Sequence, residues 1–97
     1  MILRLQKIIL IQDGKLNFNK YTFMESYRNL SGTSPITHFE IADNSISVWF
    51  KGGKKNPYIY PVYKIGNYHF QQLIQKAISG KGLSTYINQN VRNDFIK

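Results

Sequence analysis

Apolar residues first alternate along this chain and later fall into stripes, and each change of period marks a change of element. Leu3, Leu5, Ile9 and Ile11 share one parity, with Arg4 and Gln6 on the other, as in a half-buried strand. Asp13-Gly14 follows, a pair suited to the two positive-φ positions of a type I′ turn. Leu16 and Phe18 resume the alternation, so residues 2–18 are predicted to form a hairpin. Residues 19–30 are predicted to be a short helix. Thr22 and Glu25 have capping-box spacing, and Phe23, Tyr27 and Leu30 follow at i, i+4 and i+7 before Ser31-Gly32. The same aromatic residues favour strands, which keeps a strand reading open there.

Three strand-like runs come next. Residues 36–42 end at Asp43-Asn44, and residues 45–51 put Ile46, Val48 and Phe50 on one face with Trp49 on the other. Residues 58–62 follow a Gly- and Lys-rich loop, and Pro61 marks that run as an edge strand or as its end. From Asn67 to Ser79 the period becomes helical. Phe70, Leu73, Ile74, Ala77 and Ile78 form an apolar stripe, Asn67 is placed to cap its start, and Gly80 and Gly82 can stop it. A last helix is predicted from Ser84 to Phe95, with Ile87, Val91 and Phe95 one turn apart. The pattern predicts one α+β domain over residues 1–97. Its small antiparallel sheet combines the N-terminal hairpin with a three-strand meander, and two C-terminal helices pack on one face. Residues 1–33 are expected to form a hairpin-and-helix extension, and residues 34–97, over which the family resemblance given below runs, the core.

Composition narrows the function classes. At 97 residues the chain fits a single domain, and 42% hydrophobic with 14% aromatic residues argues against disorder. There is no cysteine, which excludes disulfides, zinc–thiolate sites, iron–sulfur clusters and thiol catalysis. Thirteen Lys and Arg against five acids give a net charge of +8, which attracts nucleic acid, acidic lipid or acidic protein. Ile, Lys, Asn, Tyr and Phe supply 45 of the 97 residues. Their codons are A/T-rich, which points to an A/T-rich bacterial, phage or plasmid gene and gives part of the lysine excess a second origin. The longest apolar run, Ile8 to Ile11, is far short of a membrane span. The start, MILRLQKIILIQDG, faintly resembles a signal peptide, but Arg4 and Lys7 interrupt the apolar stretch and no small-x-small site follows, so cleavage is not expected. The expectation is a cytoplasmic protein, or a virion-associated one if phage-encoded.

Several groups are candidates for binding. Lys51, Lys54 and Lys55 concentrate charge in one loop, which suits phosphate contacts as well as a solvated hairpin tip. Trp49 points away from the apolar face and is a candidate exposed contact. Tyr58, Tyr60 and Tyr63 lie near the lysines. Tyr58 and Tyr60 share a face, either as a stacking platform or as core under the long helix. Asn88 and Arg92 are i, i+4. Arg92 can cap helix carbonyls or the Gly80–Gly82 turn, or it can clamp a phosphate or carboxylate. Lys64 is a further candidate cation. His38 and Glu40 share a strand face and could act as an acid/base pair in a ribonuclease, although this spacing is common by chance. No metal-ligand spacing and no phosphate-binding glycine motif occurs, so neither metal nor cofactor is expected.

From Ser34 onward the order of features resembles the KTSC domain family, also found at the C-terminus of some lysyl-tRNA synthetases. The matching residues are Ser34 and Ile36, then Ile46, Val48 and Phe50, then Tyr58 and Tyr60. Phe70, Leu73, Ala77, Ser79 and the Gly80–Gly82 glycines follow, and then Asn88, Val91, Arg92 and Phe95, across a longer Ser79–Asn88 interval than the family's. The resemblance implies no enzymatic activity, and an association with RNA. Together these features predict a non-enzymatic module that engages nucleic-acid backbone, RNA or DNA, or a nucleoprotein. The alternatives are a structural, protein–protein component of a phage or mobile-element particle, and a ribonuclease toxin.

Overall fold

A computed structural model describes residues 9–12, 15–18 and 24–97. The alternating runs form strands β4 (Ile36–Ile41), β5 (Ser45–Phe50) and β6 (Tyr58–Pro61), an antiparallel meander. Ile41 pairs with Ile46 and Val48 with Tyr58, so the large apolar side chains of all three strands share one face. Between Ile36 and His38 the register slips, which leaves Thr37 as an extra residue. This bulge lets Ile36 and Phe39, three apart, both enter the core. β6 is an edge strand and ends at Pro61, where a missing N–H costs the ladder nothing.

The fourth strand of this sheet, β3 (Glu25–Ser26), falls where the helix over residues 19–30 was predicted. Of the described residues of that segment, Glu25 and Ser26 are strand and none is helical; Thr22 and Phe23 lie outside the described residues. Tertiary partners account for the outcome. The Tyr27 N–H donates to the Thr37 carbonyl at 2.9 Å, and the Leu30 N–H donates to the Gly80 carbonyl at 2.8 Å. Both donors are thus taken up by other elements, and Tyr27 is buried while Leu30 is 60% exposed. Strands β1 (Ile9–Gln12) and β2 (Lys15–Phe18) pair as the predicted hairpin, with Ile9 opposite Phe18 and Ile11 opposite Leu16. They form a two-stranded sheet of their own, separate from the meander. Leu3, Leu5 and the Asp13-Gly14 turn lie outside the described residues.

Helix α1 (Val62–Ser79) begins one turn earlier than predicted, directly after Pro61. Gly66, at φ 83° and ψ 157°, breaks the helical path, and the main segment resumes at Asn67. Ile65, Phe70, Leu73, Ile74 and Ala77 are buried against the sheet. Ile78 is 42% exposed, contrary to its place in the predicted stripe. At 100° per residue it lies about 90° from the stripe's centre, on the flank. Gly80 ends the helix in the left-handed region and returns its N–H to the Lys76 carbonyl. Helix α2 (Leu83–Asn90) is shorter than predicted, because Val91 leaves helical geometry at φ −137°. The chain then turns back, and the Ile96 N–H donates to the Ile59 carbonyl at 2.8 Å. The tail thereby covers part of the open β6 edge, and Phe95 packs on the core without being helical.

Candidate functional site

Register and tail together build a recess of about 210 Å³ on the helix-covered side of the sheet. Phe50, Tyr58 and Phe95 wall it, Tyr60 and Ile87 form its floor, and Asn88 and Arg92 stand at its mouth. The rings meet edge to face: Phe50 and Tyr58 at 5.2 Å, Tyr58 and Phe95 at 5.0 Å, Tyr60 and Phe95 at 6.1 Å. Such T-shaped contacts hold aromatic walls in defined orientations. Tyr60 is 2% exposed, and its phenol is pushed up to about 12 by burial, with Tyr58 and the Asp94 carboxylate adding to the rise. It stays a neutral hydroxyl at physiological pH. Tyr58 and Tyr60 are therefore one wall and the floor of a pocket, and not an open stacking platform.

The lysine loop joins two of these walls, since residues 51–57 connect Phe50 to Tyr58. Asn56 fixes its base by accepting the Phe50 N–H at 2.8 Å and donating to the Phe50 carbonyl at 2.7 Å. The side chain thus satisfies both backbone groups of one residue, as a neighbouring strand would. The Asn56–Pro57 peptide is cis. Gly53 packs so closely that an added Cβ would stand 2.7 Å from Asn56 Oδ1. On this base Lys51, Lys54 and Lys55 are all exposed. Lys97 adds a further cation, with Nζ 5.3 Å from the Phe95 ring centroid and donating to the Asn93 carbonyl at 3.1 Å.

The structure brings Asn88, Arg92 and the base of the lysine loop to one recess and leaves the other candidates elsewhere. Trp49 pairs in register with His38 on the opposite face of the sheet, where it is half-buried. Glu40 shares that face, so the His38–Glu40 pair and Arg92 lie on opposite sides of the sheet. Lys64 is exposed on the first turn of α1, beside Tyr63 at 80% exposure. Arg28, and not Arg92, caps the end of α1: its guanidinium donates to the Ile78 carbonyl at 2.9 Å and the Ser79 carbonyl at 3.1 Å. No local motif announced that role, because donor and acceptors are some fifty residues apart in sequence.

Two further polar contacts escaped the sequence reading. His69 Nδ1 and the Tyr86 hydroxyl share a hydrogen bond of 2.6 Å, and Lys76 lies 5.0 Å from the Tyr86 ring centroid. Burial holds the Tyr86 phenol above its usual value, with Tyr68 adding to the effect. Seventeen residues separate the hydrogen-bonded partners, with no recognisable spacing to signal them. Among the described residues no three His, Cys, Asp or Glu side chains gather as a metal site. None of the described helices is long and apolar enough to cross a membrane. No protein-family model, curated protein or solved structure matches the chain.

Proposed function

We propose that this protein is a non-enzymatic module that binds nucleic-acid backbone, alone or within a nucleoprotein, largely without reading sequence. The observation that carries this reading is the grouping of cations around one aromatic recess. Lys51, Lys54 and Lys55 project from the loop that joins two of its walls, Arg92 stands at its mouth, and Lys97 lies over Phe95. Lysine ammonium groups supply point charges to phosphates, and the Arg92 guanidinium supplies a forked, always-charged donor. The overall charge of +8 draws a polyanion toward such a surface. The RNA association implied by the KTSC resemblance points the same way.

Binding of labelled RNA and DNA, followed by fluorescence anisotropy across salt, tests the reading. Contacts to several phosphates release counterions, so affinity falls steeply between about 50 and 200 mM salt. An affinity that barely changes over that range, or no binding to either polymer, overturns the proposal.

A further inference from the structure

We infer that the recess between β5, β6, α2 and the C-terminal tail holds a single unpaired nucleotide of a single-stranded nucleic acid. This deepens the reading above and rests on it. The base lies among Phe50, Tyr58 and Phe95, and its phosphate meets Arg92.

Size, lining and charge each support the assignment. At about 210 Å³ the recess is smaller than the roughly 300–1,000 Å³ of sites for drug-sized ligands, and it suits one planar ring system. Its walls are aromatic, and stacking or edge contact with aromatic side chains is how proteins hold bases that have left a helix. Its polar lining is mixed. The Asn88 amide offers both a donor and an acceptor to a base edge, whereas Arg92 offers only donors and a fixed charge. An apolar side chain of a protein partner would use the rings but would leave Arg92 and Asn88 without a role. The Asp94 carboxylate adds to the rise of the Tyr60 phenol on the floor. Phosphates are drawn to the cations, Arg92 at the mouth and the exposed Lys51, Lys54 and Lys55 of the adjoining loop.

This geometry also sets a preference for strand state. A base paired and stacked inside a duplex presents no free face, and extruding it costs a few kcal/mol. A single strand offers its bases at little cost, so single strands bind better than duplexes of the same length.

Anisotropy titrations of the full chain at one moderate salt concentration test this, using a single strand, its duplex, the same strand with abasic sites, and the mononucleotide. Asn88→Ala and Arg92→Ala are the variants, because both residues are exposed and leave the core intact. The single strand is expected to bind about five- to a hundredfold more tightly than the abasic strand, the contribution of one stacked base. Asn88→Ala is expected to weaken binding of the intact strand and not of the abasic one, while Arg92→Ala weakens both. Equal binding of the intact strand and either its duplex or the abasic strand overturns the inference and leaves backbone binding standing. A mononucleotide that binds as tightly as the strand also overturns it, by making the recess a free-nucleotide site. Loss of binding to every nucleic acid removes the underlying reading as well.

Discussion

Tyr60 is a buried core residue and also the floor of the aromatic recess. Its ring is buried under Phe95, and burial raises its phenol from 10.0 to about 12. The folded protein therefore holds the Tyr60 proton more tightly than the unfolded chain does. That contribution to stability is complete below about pH 10, the unfolded value, and is lost as pH rises through about 12. Absorbance at tyrosinate wavelengths should show Tyr60 ionising late, near pH 12, and urea stability should decline over the interval between about pH 10 and 12. Tyr60→Phe should remove the late step and flatten the decline, and an unchanged titration in that variant would assign the effect to another tyrosine. Gly80 offers a second test at this scale. It adopts φ 82°, and a Cβ there would stand 2.8 Å from the Arg28 Cβ. Gly80→Ala is expected to cost about 1–3 kcal/mol by urea unfolding. Gly82→Ala shares the left-handed strain but meets nothing closer than 3.9 Å, so it should cost less. Equal losses would show that backbone strain alone, without the Arg28 contact, sets the penalty. Gly80 was legible as a stop because a helix end demands that conformation. Its contact with Arg28 was not, since only the fold brings residue 28 beside it.

Elements were legible where their own pattern dominates and illegible where distant partners do. Ile46, Val48 and Phe50 alternate over a full strand, and Phe70, Leu73, Ile74 and Ala77 repeat over several turns, so both elements form where their periods place them. Residues 24–30 have a helical spacing too short to stand against sheet pairing with β4 and the two hydrogen bonds that Arg28 makes to α1. The C-terminus shows the same competition. Ile87, Val91 and Phe95 keep helical spacing, yet the helix stops at Asn90. The intervening asparagines and Asp94 hold a helix weakly, while the edge of β6 offers the tail a hydrogen bond. That single change turned a predicted helix face into the closing wall of a recess. Ile96→Pro removes the N–H that bonds the Ile59 carbonyl and is expected to cost about 1 kcal/mol in urea unfolding. It should also free Phe95 and weaken single-strand binding. Ile96→Ala keeps the N–H, so it should retain more of both properties. A proline variant as stable and as active as the alanine one would show that the tail docks through side chains alone.

Across the whole molecule the net charge of +8 is legible from composition, and its arrangement is not. Lys51, Lys54 and Lys55 were recognisable as a cluster because they are close in the chain, whereas the arrival of Arg92 and Phe95 at the recess whose walls their loop joins depends on α2 and the tail folding back over β6. Such a grouping has a measurable signature that net charge lacks. Each phosphate neutralised releases counterions, and for single strands the slope of log affinity against log salt is about −0.7 per contact. If all three loop lysines face phosphates, replacing them together with glutamine flattens that slope by about 2. Replacing an equal number of cations away from the recess, Arg28 excepted because it caps α1, tests the opposite case: Lys64, Lys76 and Lys81 to glutamine removes the same formal charge. Long-range attraction responds to both triple variants alike, whereas direct phosphate contact responds only to the first. Equal flattening by the two variants would make the protein a diffuse cation with no defined nucleic-acid surface, and the aromatic recess would lose its connection to function.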